Sequence, residues 1–85
     1  MIEGANILYI SEHNHYGRIK EEDKEFYIHY IVLAQYNDSS LVYMFLCDEE
    51  KNVLHDEVFS SIQEAKLHVY TQITKDIKWQ KNKVH

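Results

Sequence analysis

The run Val42 to Lys66, VYMFLCDEEKNVLHDEVFSSIQEAK, constrains the fold of this chain more than any other stretch. Leu41 to Cys47 is apolar on both alternating faces and rich in the β-branched and aromatic residues that suit strands. Asp48-Glu49-Glu50-Lys51-Asn52 is wholly polar, and Val53 to Phe59 reads as a returning strand. A loop this short allows only antiparallel pairing, because a parallel partner needs a crossover of about a dozen residues. Ser61 with Glu64 three residues later matches the capping box that opens helices. From there Ile62, Ala65, Val69 and Ile73 fall on one helical stripe, with Tyr70 beside it. Asp76 returns to the same stripe, so the packed helix should end or bend near Lys75, where Lys75 and Lys78 complement the helix dipole. Leu67 lies off the stripe, either as a contact residue or as a solitary surface leucine.

Upstream, Ala5 to Glu12 is the first predicted strand, with Ile7, Tyr9 and Ser11 on one face and Leu8 and Ile10 on the other. Asn14-His15-Tyr16-Gly17 has turn chemistry, Arg18-Ile19-Lys20 a short strand, and Glu21 to Glu25 an exposed charged connection. Phe26 to Tyr36 is the second long strand, ended by Asn37-Asp38-Ser39-Ser40. These elements predict an α+β domain: an antiparallel β-meander of four strands, or five, with one C-terminal helix packed on one face. With no proline and only Gly4 and Gly17 to break it, the chain reads as a single domain over 1–80 and a flexible basic tail over 81–85.

At 85 residues there is room for one core. A chain this short buries only about 60–65% of the surface it exposes when unfolded, so self-association would help it. An apolar content of 45% argues against disorder. No apolar run approaches the roughly 20 residues of a membrane span. Met1-Ile2-Glu3-Gly4 lacks the basic and apolar regions of a secretory leader, and the one cysteine, Cys47, can form no internal disulfide. Together these point to a cytoplasmic protein, although a secreted chain shorn of its leader would start the same way. The net charge of −5 conceals a split. Residues 1–64 hold thirteen acids and four bases, whereas 65–85 hold Lys66, Lys75, Lys78, Lys81 and Lys83 against Asp76. An acidic body repels nucleic acid and favours a basic protein partner.

Both predicted central strands are apolar on both faces: Ile28, Tyr30 and Val32 against Tyr27, Ile31 and Leu33, then Val42, Met44 and Leu46 against Tyr43 and Phe45. One helix covers one face only, so the second face should meet a homodimer partner, another protein, or a tail folded back through Trp79. A two-fold homodimer is the first expectation.

Catalytic chemistry is sparse. His13 and His15 share a turn and could share a metal, but no cysteine adjoins them, and a solvated turn is the simpler reading. The acidic runs at Glu21 to Glu25 and Asp48 to Glu50 lack the ligand order of a calcium loop. Cys47 ends an apolar strand with no base beside it, which suits an inert buried thiol. Asp56 and Glu57 adjoin on a strand and so face opposite ways, unlike an acid–base pair. No catalytic residue, metal ligand or cofactor is assigned.

The run YMFLCDEEKNVLHDEVFSSIQEAK resembles a pattern in small bacterial immunity-type proteins of polymorphic toxin systems: a strand ending in an acidic CDE turn, a second strand, then S-I-x-E-A-K opening a helix. Tyr43, Phe45, Cys47, Asp48, Glu49, Asn52, Val53, Asp56, Ser61, Ile62, Glu64, Ala65 and Lys66 carry the resemblance, which is confined to the C-terminal half. Lys51 stands where such proteins often have Trp, and Trp79 takes a similar late position. The resemblance implies a non-enzymatic inhibitor that sequesters a basic effector or toxin, with Glu49, Glu50, Asp56 and Glu57 beside Tyr27 and Tyr43 as the contacts. A phage-encoded inhibitor of a bacterial defence nuclease would need the same features. A self-associating accessory domain and a small metal-dependent enzyme are the competing classes.

Overall fold

The computed structural model describes residues 1–82. Strands β1 (Asn6–Ser11), β2 (Gly17–Glu21), β3 (Lys24–Ile28), β4 (Tyr30–Gln35), β5 (Val42–Cys47) and β6 (Val53–Phe59) precede the helix α1 (Ile62–Gln72), and β7 (Trp79–Lys81) follows it. The main sheet has the order β6-β5-β4-β1-β7, antiparallel throughout, and β2–β3 forms a separate hairpin. The chain is thus the α+β fold read from the sequence, an antiparallel sheet with one helix. Its meander is β4-β5-β6, and β1 reaches β4 across the inserted β2–β3 hairpin.

The centre follows from residues apolar on both faces. Ile31, Leu33, Val42, Met44 and Leu46 pack with Ala65 and Val69 of α1 on one side. Val32, Ala34, Phe45 and Cys47 form the core of the other. The helix begins as its cap predicts: the Ser61 hydroxyl accepts the Glu64 N–H at 3.1 Å. The Glu64 carboxylate takes the Ser60 hydroxyl. α1 ends at Gln72, short of the Lys75 expected, with the Ile73 and Thr74 N–H groups both on the Val69 carbonyl at 2.9 Å.

Four features depart from the sequence expectation. The stretch Phe26 to Tyr36 is two strands, divided at His29: its first half pairs with β2 and its second with β1 and β5. Glu21 to Glu25 is not a connection, because Glu21 and Lys24 pair and only Glu22 and Asp23 turn. In β1 the register shifts between Ile7 and Tyr9, leaving Leu8 as an extra residue. The bulge puts Ile7 and Ile10 on the same side and Tyr9 on the helix side, where plain alternation had placed Ile7 with Tyr9.

The fourth departure is the second face. Val32 and Phe45 are only 1% and 2% exposed there. Ile2 and the rings of Tyr30, Tyr36 and Tyr43 pack against them. Ile2 arrives on a tight turn in which Ile2 and Ala5 exchange backbone hydrogen bonds and Glu3 and Gly4 both have positive φ, as a type I′ hairpin requires. The Tyr36 hydroxyl ties the turn down by donating to the Glu3 carbonyl at 3.0 Å. Trp79 does fold back, but to β1: Ser11 pairs with Trp79, and the indole meets Tyr9 edge-on on the helix side. The strand takes in Lys81, and the Asn82 N–H donates to the Leu8 carbonyl at 3.0 Å, within the segment assigned to a basic tail. The rest of that segment, 83–85, lies outside the described residues.

Candidate functional site

One end of the sheet collects residues from four separate parts of the chain. His29, the single residue between β3 and β4, is the pivot. Its N–H donates to the Cys47 carbonyl at 2.8 Å, its carbonyl accepts from the Asn14 N–H at 3.2 Å, and its Nδ1 donates to the Asn14 carbonyl at 3.0 Å. These bonds pin the β1–β2 loop and the start of the β5–β6 loop to one point. The His13 ring lies parallel on His29 with centroids 4.9 Å apart. His15 meets His29 at 6.1 Å and Tyr27 at 5.6 Å, and His13 meets Tyr30 at 5.3 Å.

The β5–β6 loop is organised by Asp48. Its carboxylate accepts the N–H groups of Glu50 and Asn52 at 2.9 and 2.8 Å and the Asn52 side-chain amide at 3.1 Å. Desolvation, the largest single influence, favours the protonated acid. The hydrogen bonds from Asn52 and Glu50, with His29 nearby, together outweigh it and hold this carboxyl below its ordinary range. Lys51 takes the positive φ of the loop, and its ammonium lies over the Tyr30 ring at 5.1 Å. Held this way, Glu49 and Glu50 point outward, and with Glu25, Phe26, Tyr27, His29 and Asp48 they line an open cleft of about 280 Å³. Glu49 approaches His13 Nε2 at 3.6 Å, and Arg18 pairs with Glu25 at 3.5 Å.

The six contact residues expected from the sequence therefore fall in three places. Glu49, Glu50 and the exposed Tyr27 meet at this cleft. Tyr43 and Asp56 belong to the second face: Tyr43 is wedged between Tyr36 and Phe45, and Asp56 is paired with Phe45. Glu57 is on the helix side, between His68 at 3.0 Å and His55 at 3.7 Å. Strand alternation separates Asp56 from Glu57, as their adjacency requires. Glu25, read in the sequence as part of an exposed acidic run, and Phe26 and His29 were not among the contacts expected from the sequence. The available signal was His29 itself, a polar residue interrupting an apolar β-run.

Cys47 is fully buried, and burial, reinforced by Asp48 and Glu3, pushes its thiol up to about 12, so it is neutral and unreactive at ordinary pH. Among the described residues, no three His, Cys, Asp or Glu side chains are placed to hold a metal ion. Parallel stacking of His13 on His29 sets their in-plane lone pairs side by side rather than converging. No helix among the described residues is long and apolar enough to cross a membrane. No protein-family model, curated protein or solved structure matches the chain.

Proposed function

We propose that the chain is a non-enzymatic binding protein of inhibitor or immunity type, acting in the cytoplasm, that sequesters a basic effector protein through the acidic end of its sheet. The observation that carries this reading is the convergence of Glu25 from β3 with Asp48, Glu49 and Glu50 from the β5–β6 loop around an exposed tyrosine. Carboxylates at an open rim steer a basic surface and raise its association rate. A tyrosine in their midst supplies an amphipathic anchor that orders at low entropic cost. The resemblance of the C-terminal half to immunity-type proteins supports the same reading. In this reading Glu49, Glu50 and Tyr27 form the interface. Tyr43, four residues back along β5 from Cys47 and so about 13 Å away, lies outside its centre.

Affinity capture from the source cells with the intact chain should recover a basic protein. With that protein in hand, Glu49→Lys/Glu50→Lys should slow association about tenfold at low salt and flatten its salt dependence. Unchanged association would remove the acidic end from the interface. A self-associating accessory domain is the second reading, favoured by the seven-residue β6, which among the described residues has a partner on one side only and exposes Val58. Light scattering that reports a monomer at high concentration would reject it.

A further inference from the structure

The acidic end carries titratable counter-charge of its own. His13 and His15 come from the β1–β2 loop and His29 from the β3–β4 junction, and their rings meet beside the cleft. The charged groups around them are Arg18 on β2, Glu25 on β3, and Asp48, Glu49, Glu50 and Lys51 in the β5–β6 loop. Tyr27 and Tyr30 flank the rings, and the Cys47 thiol beneath is neutral. Glu12 stands apart, grouped with Asp76 and Lys78 around a different depression. Four carboxylates against Arg18 and Lys51 leave this end with a balance of −2 when the imidazoles are neutral, and three imidazolium charges turn −2 into +1. Imidazole is the side chain whose charge ordinarily changes between about pH 5 and 8.

We propose that this histidine cluster makes the acidic end pH-responsive, so that acidification converts it from an anionic to a weakly cationic surface and releases a basic partner. The inference rests on the acidic end being the binding surface. Geometry sets its sign. His13 Nε2 is 3.6 Å from Glu49, so its proton neutralises the very carboxylate that faces outward. His29 is held by three hydrogen bonds that an imidazolium keeps, because its Nδ1 is already the donor to Asn14. The hydrogen bonds at His29 therefore survive protonation, while the parallel His13 and His29 rings, 4.9 Å apart, repel each other once both are charged.

The probe is a fluorescent nona-arginine peptide, whose charge is constant across the range because guanidinium stays protonated. Its affinity for the intact chain is measured at fixed low ionic strength at about pH 7.5 and about pH 5.5. Binding should weaken about tenfold on acidification. With its affinity at about pH 5.5 compared with its own affinity at about pH 7.5, His13→Gln/His15→Gln/His29→Gln should lose most of the pH dependence. His13→Gln/His15→Gln, which leaves the His29 bonds in place, should lose part of it and serves if the triple variant does not fold. Two outcomes would overturn the inference: peptide binding that Glu49→Lys/Glu50→Lys abolishes but pH leaves unchanged, or a pH dependence that both histidine variants retain. Absence of binding at the higher pH, or binding indifferent to Glu49→Lys/Glu50→Lys, would instead overturn the acidic end as the binding surface, and the inference with it.

Discussion

Ser11 and Cys47 show how single side chains settle the local polar and apolar balance. β1–β4 pairing ends at Ile10 and Val32, and the next β4 donor, the Ile31 N–H, is completed by the buried Ser11 hydroxyl at 2.9 Å. An unpaired buried N–H would cost about 1–3 kcal/mol, so a serine at the end of an apolar strand is structural here. Cys47 makes a testable contribution to stability at alkaline pH. Its folded pKa is raised from 9.0 to about 12, so the unfolded chain releases the thiol proton first. The stability it supplies is whole below pH 9 and falls as pH rises toward 12. Cys47→Ala should therefore lose less stability than the parent between about pH 8 and 10.5 in urea titrations. Equal losses would show that the thiol plays no part. The inert thiol was legible in the sequence, from an apolar strand with no base beside the cysteine. The role of Ser11 was not, because it depends on where a distant strand stops pairing.

Among the elements, β5, β6 and the start of α1 were the most legible. Turn chemistry at Asp48 to Asn52 and the Ser61 cap are local signals, and local hydrogen bonds enforce them. Ser61→Ala should destabilise the protein by about 1 kcal/mol, read as a lower urea midpoint with unchanged slope. A change well under half of that would mean that tertiary packing alone sets the helix start. Less legible were the elements whose faces depend on partners. A bulge moves Ile7 to the second face, and nothing in NILYIS marks it. The continuous β-character of Phe26 to Tyr36 hid a change of partner at His29, because propensity describes a backbone conformation and not what it pairs with. α1 stops at Gln72, before its apolar stripe runs out, when the chain turns off toward β7.

In the molecule as a whole, stability should be uneven. β4 and β5 lie inside the sheet and are buried on both faces, whereas among the described residues β2 and β3 pair only with each other. Amide hydrogen exchange should be slowest at Ile31 to Leu33 and Met44 to Leu46 and markedly faster in Arg18 to Phe26, where local opening needs no rupture of the main sheet. Equal protection would make the hairpin part of the same cooperative unit. The same division separates what was readable from what was not. The sequence alone determined the class, the acidic loop, the helix start and the apolar centre, because each arises from neighbours along the chain or from strict periodicity. Only the tertiary structure decided that a Glu3-Gly4 turn and a set of tyrosines close the second face, that Trp79 adds an edge strand, and that Glu25, Tyr27 and Glu49 share a cleft with His29, whose ring His13 and His15 meet. Those are contacts between residues far apart in the chain, fixed by the pairing of β1 with β4 and the pinning of His29, and no local pattern encodes them.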